Sequence, residues 1–143
     1  MEKLVAKFSQ HLDFKEIREH FRRGDQDLLT GISGSQKTLV ISGFIWDDAL
    51  GGVDGKYLVI SYNNSQAYRI ALDLESFLGP EEVAFFPSNE LLPHEEAYEP
   101  EVTAQRIETL GRILQQNRLV VVTSWEALQR RLIPAAKFLE FSI

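Results

Sequence analysis

The sequence has 143 residues, 44% of them hydrophobic and 25% charged, an ordinary balance for one globular domain with its own core. A net charge of −6 argues against duplex DNA as a ligand of this stretch, because duplex affinity rests on phosphate neutralisation. The absence of cysteine excludes a disulfide framework and thiolate metal sites, no apolar run approaches the ~18 residues of a membrane span, and the N-terminus lacks a signal peptide's apolar stretch, so a cytoplasmic location with no membrane partner is expected.

Leu4, Val5, Phe8 and Leu12 recur at helical spacing and predict a short first helix. Asp13-Phe14-Lys15-Glu16 has the form of a capping box, Phe14, Ile17 and Phe21 line one face of a second helix, and Gly24 is its stop. A strand is expected from about Asp27 to Gly31, then a loop, then a helix from Lys37 to Ala49. Tyr57-Leu58-Val59-Ile60-Ser61 is a continuous apolar run, the pattern of a parallel strand buried on both faces. Asn63 or Asn64 caps a helix whose stripe is Ala67, Ile70, Ala71, Leu74, Phe77 and Leu78, closed by Gly79-Pro80. Val83 to Phe86 is the next strand. After a proline- and glutamate-rich loop, a helix runs from about Glu101 to Gln116 with Ile107, Leu110 and Leu114 facing inward. Leu119 to Thr123 is a strand, and Ser124 caps a last short helix holding Trp125, Leu128 and Leu132. Residues 138–143 read as the beginning of another strand.

Strands alternating with helices predict an α/β fold with an open, mostly parallel sheet flanked by helices. The expected organisation is an N-terminal helical segment over 1–24, an α/β domain over 25–137, and the start of a following domain at 138–143.

The stretch with the most chemistry is Gly31-Ile32-Ser33-Gly34-Ser35-Gln36-Lys37-Thr38, between Leu28-Leu29 and Leu39-Val40-Ile41. A phosphate-binding loop reads G-x-x-x-x-G-K-[ST]. Its backbone N–H groups cradle phosphates, its Lys reaches the outer ones, and its hydroxyl holds Mg²⁺. Gly31, Gly34, Ser35, Lys37 and Thr38 suit that role, but Gln36 replaces the second motif glycine, where a side chain obstructs close phosphate approach. Hydrolysis also needs a carboxylate at a strand end for Mg²⁺, and the expected strands end in Phe86-Pro87 and Thr123-Ser124. Asp73 falls in a helical stripe. The loop is therefore a degenerate candidate site, with no cofactor expected and ATP with Mg²⁺ as the alternative.

The remaining polar residues have plain readings. His11, His20 and His94 lack the pairing of a helical metal site. Glu90, Glu95, Glu96, Glu99 and Glu101 read as a solvated acidic belt, Arg22-Arg23 and Arg130-Arg131 as solvated helix ends, and Trp125 and Phe86 as core.

The motifs together resemble one family. Gly31 to Thr38 resembles the first helicase motif of UvrB from the UvrABC excinuclease, G-x-T-G-S-G-K-T, and Leu58-Val59-Ile60-Ser61-Tyr62-Asn63-Asn64 is similar to the next UvrB motif. Phe86-Pro87-Ser88-Asn89-Glu90-Leu91-Leu92-Pro93, the run from Tyr98 to Ile107, and Val121-Val122-Thr123-Ser124-Trp125-Glu126-Ala127-Leu128 resemble more closely the N-terminal, UvrB-like module of bacterial transcription-repair coupling factors. Gln36 departs from UvrB. So does the short connection from Tyr98 to Arg106, which has no room for the DNA-clamping hairpin of UvrB. Both departures fit the coupling-factor module.

The resemblance implies an incomplete P-loop-NTPase-like (helicase-type) fold and a non-catalytic scaffold with little or no DNA binding that packs against neighbouring domains. It implies a parent that is an ATP-driven DNA translocase, meeting RNA polymerase and UvrA through other parts of its chain. An active nucleotide-binding domain of a helicase-like repair protein is the competing reading.

Overall fold

The three apolar runs expected to be strands pair in parallel in the computed structural model, which describes residues 2–8, 10–89 and 100–141. They are β1 (Lys56–Ser61), β2 (Val83–Phe86) and β3 (Leu119–Ser124), in the spatial order β1-β3-β2. Tyr57 lies opposite Val120 and Leu58 opposite Val121, while Val83 lies opposite Val120 on the other side of β3. The helices are α1 (Glu2–Phe8), α2 (Leu12–Arg23), α3 (Gln36–Leu50), α4 (Asn64–Leu78), α5 (Pro100–Gln115), α6 (Trp125–Leu128) and α7 (Ala135–Phe141). An α/β fold with an open parallel sheet is thus what the chain adopts.

One sheet face carries the main core. Val83, Val120 and Val122 pack there against Ala67, Ala71 and Leu74 of α4 and Ile45 of α3, with Tyr57, Val59 and Phe85 at its margins. A fully buried side chain such as Leu74 contributes about 1.5–3 kcal/mol. α4 begins as its sequence suggests, with the Asn63 side chain accepting from the Gln66 N–H at 2.8 Å. On the opposite face, Ala84, Phe86, Leu119 and Val121 are covered by Ala127, Leu110 and Ile113.

The N-terminal helices pack onto α3. The Phe14 ring lies 5.1 Å from that of Phe8 and 5.0 Å from that of Phe44. Gly43 lets them approach: a Cβ there would meet Phe14 at 2.8 Å. Arg18 pairs with Asp47, and Arg22 with Asp48 at 2.9 Å, so Arg22 ties α2 to α3 instead of ending a helix in solvent. Gly24 closes α2 with φ of +80°.

Several expectations are corrected. Asp27 to Gly31 is not a strand. It has no ladder partner among the described residues, Leu28 is 88% exposed, and Asp27 is held by His20 at 3.1 Å. Two leucines between turn formers cannot outweigh the cost of ordering a strand without a neighbour to pair with. The cap of α2 is His11, without a side-chain bond, and Asp13 lies in the first turn. β1 is not buried on both faces: Leu58 is 57% and Ile60 50% exposed, because α5 and α6 cover only β2 and β3. On α5, Ile107 is 53% and Leu114 38% exposed; Leu110 faces the sheet as expected, joined by Thr109 and Ile113. α6 stops at Leu128, leaving Leu132 exposed in the irregular chain before α7, and Trp125 is 60% exposed instead of core. Phe86 is core as expected. Residues 135–141 form a helix where a strand was expected, entered from Pro134, whose carbonyl accepts from the Phe138 N–H at 3.0 Å. Glu90, His94, Glu95, Glu96, Glu99, Tyr98 and the last two positions of the expected terminal strand lie outside the described residues.

Candidate functional site

The loop from Gly31 to Thr38 joins exposed backbone to the start of α3. Gly31 and Gly34 adopt φ of +76° and +52°, a region that costs a β-carbon-bearing residue about 1–2 kcal/mol. The glycines thus keep the turn that the motif requires.

The loop's polar groups are turned on one another. The Gln36 side-chain oxygen accepts from the Ser33 N–H at 3.1 Å. The Gln36 N–H donates to the Ser33 carbonyl at 3.1 Å, and the Lys37 N–H to the Gly34 carbonyl at 3.4 Å. These are donors that a phosphate cradle would present outward. The Thr38 hydroxyl donates to the Ser35 carbonyl at 2.8 Å and its residue is 2% exposed, buried where a metal-holding hydroxyl would face solvent. Lys37 and Ser35 are exposed.

The loop's position matters as much as its bonds. Ser35 donates to the Asp73 carboxylate at 3.3 Å. Asp73 lies nine residues into α4, about 13 Å along the helix from its start beside the end of β1. Ligands of open α/β sheets bind outside the carboxyl ends of the strands. This loop sits instead beside the second half of α4, with a carboxylate at its hydroxyl. The hollow next to it is apolar, lined by Phe8, Phe14, Ile17, Leu29, Ile32, Leu39 and Val40 together with Gln36, His11 and Asp13. Gly31, Gly34 and Lys37 are not among its walls.

The strand ends carry Ser61, Phe86 and Ser124, so no carboxylate ends a described strand. Among the described residues, no cluster of three metal-ligating side chains exists. His20 is paired with Asp27, and His11 lies 3.6 Å from Asp13. No helix of the described residues is long and apolar enough to cross a membrane.

Sequence reasoning missed what the arginines of the second face do. Arg106 donates to the Pro87 carbonyl and stands 4.0 Å over the Phe86 ring, clamping the chain as it leaves β2. Burial, and then the charge of Arg130, push its guanidinium pKa down. Arg112 donates to the Val83 and Glu81 carbonyls at 2.8 and 2.7 Å, and Arg118 grips Glu82 with two bonds of 2.8 and 2.6 Å. Only Arg106 carried a signal, as part of the motif shared with the coupling-factor module.

No protein-family model matches the chain. Among characterised proteins, it is 34% identical over 125 residues to the transcription-repair-coupling factor of Bacillus subtilis (strain 168), a match covering 85% of this chain. The same match covers 10% of the relative, so the chain spans about a tenth of that protein's length. Identity at this level across most of its residues makes the chain a member, over that short region, of the transcription-repair-coupling factor family.

Proposed function

We propose that the chain is a non-catalytic, UvrB-like scaffold module of a transcription-repair coupling factor. In this reading the parent is a cytoplasmic, ATP-dependent DNA translocase that displaces stalled RNA polymerase and recruits UvrA through other parts of its chain. The module binds neither nucleotide nor DNA to any purpose, and packs against neighbouring domains.

The observation that carries this reading is the closed loop. Gln36 places its own oxygen on a loop N–H, and Thr38 spends its hydroxyl on the backbone. A phosphate would have to displace the first and Mg²⁺ the second, against the Asp73 carboxylate beside Ser35. The net charge of −6 supports the weak DNA binding. The competing reading, an active P-loop domain using ATP and Mg²⁺, draws on the retained left-handed glycines and the exposed Lys37.

A phosphate-release assay with Mg²⁺-ATP, with and without duplex DNA, tests the proposal. The expected result is no turnover above a protein-free control. Turnover that disappears in Lys37→Ala would overturn it.

A further inference from the structure

We propose that α1 and α2 form a releasable strap, which swings off α3 with the turn at Gly31 to Gly34 as its hinge. The inference goes beyond the scaffold reading and does not depend on it.

The strap is a unit of its own. Neither apolar cluster on the sheet takes a residue from positions 2–24. The turn bonds at its helix ends stay inside it, from the Gln10 N–H to the Lys7 carbonyl, from Gly24 to Phe21 and from Asp25 to His20. The segment that follows stays with it. Asp27 is held by His20, and Leu29 and Ile32 share a hollow with Phe14 and Ile17. Residues 33–37 are then exposed. A hinge needs backbone that can change φ and ψ freely. Gly31 and Gly34 have positive φ, and a Cβ on either would meet no atom within 4 Å, so the turn has open space around it.

The contact of the strap with α3 is incomplete in two ways. Between them lies the hollow of about 400 Å³, walled by Phe8, Phe14 and Ile17 on one side and by Gln36, Leu39 and Val40 on the other. Space of that size forfeits the dispersion contacts that a close-packed core makes. The Arg18 Nε is also buried without a hydrogen-bond partner, a cost that water removes when the strap opens.

What holds the strap is a polar latch beside an aromatic wedge. Asp47 and Asp48 of α3 receive Arg18 and Arg22, and the Tyr57 hydroxyl donates to Asp48. These charged side chains keep part of their surface in solvent, so salt weakens the latch. Phe14 lies against Gly43, between the rings of Phe8 and Phe44. Opening uncovers Val5 and Phe14, which are buried in the closed form, and the Gly43–Phe44 side of α3. The closed strap thus withholds an apolar stretch of α3 until the latch lets go.

Amide exchange of the chain, followed by NMR at increasing urea, tests this. The Ile17 and Phe21 amides of α2 should exchange roughly a hundredfold faster than those of Leu74 and Val122, with a weaker dependence on urea. The Ile45 amide of α3 should stay with the slow set, which puts the boundary at the loop. Gly43→Ala suits the helix but sets a Cβ 2.8 Å from the Phe14 ring. It should speed the α2 amides by about tenfold or more and leave Leu74 and Val122 unchanged. Asp48→Asn should do the same, and so should about 1 M NaCl on the wild type, an arm that no misfolded variant can mimic. Exchange of α2 in step with Leu74 and Val122 in every arm overturns the proposal, because the strap is then part of the core. Fast α2 exchange that ignores Gly43→Ala, Asp48→Asn and salt is fraying and overturns it too. Fast exchange that runs on through Ile45 contradicts the hinge.

Discussion

Gln36 and Thr38 show how a few atoms decide what the loop can do. A side-chain amide at the motif's second glycine position supplies its own acceptor to the Ser33 N–H. Thr38 follows by donating inward. What remains of the motif is conformational. Gly34 has φ of +52°, and a Cβ there would meet no atom within 4 Å, so substitution costs backbone strain alone. Gly34→Val should lower stability by about 1–3 kcal/mol. Lys37 is exposed at a helix start, where the dipole disfavours a cation. Lys37→Ala should stay within about 0.5 kcal/mol of wild type, or gain slightly. Thermal melts of the two variants check both values. A large loss in Lys37→Ala would reveal a structural partner for the lysine and contradict its reading as a solvated relic.

At the scale of elements, α5 is held to the sheet by arginines as well as by apolar contact. Arg106→Met keeps most of the aliphatic bulk but removes the bond to Pro87 and the charge over Phe86. The expected loss is about 1–3 kcal/mol, read as a shift in the urea midpoint at constant slope. An unchanged midpoint would mean the clamp adds nothing beyond packing. The helices other than α7 were legible in the sequence because local signals mark them, among them the stripe of α4, the Asn63 cap, and the Gly24 stop. Strand pairing is not local. The run at 57–61 shows the same apolar continuity whether or not something covers Leu58 and Ile60, so exposure of one face could not be read from it. The expected strand at 27–31 failed for the same reason, since nothing in those residues specifies a neighbour. At 138–143, alternating apolar residues suggested extension, but Pro134 and Ala135-Ala136 start a helix that runs on to Phe141. The motif residues of the loop were legible one by one. Their mutual hydrogen bonds, and the approach of Asp73 from α4, were not, because 38 positions separate Ser35 from Asp73.

For the whole molecule, the described residues close the loop on itself and leave β1 at one edge of a three-stranded parallel sheet. The central claim is that this module has no nucleotide site, and binding linkage tests it most directly. Melting temperature should be measured with increasing Mg²⁺-ATP, on wild type and Lys37→Ala together. A site filled at a hundred times its Kd would add about 2.7 kcal/mol to the folded state. In a chain of this size that is a rise of roughly 5–10 °C. A scaffold with a closed loop should show no nucleotide-dependent rise in either protein. A rise of several degrees in wild type that Lys37→Ala abolishes would contradict it.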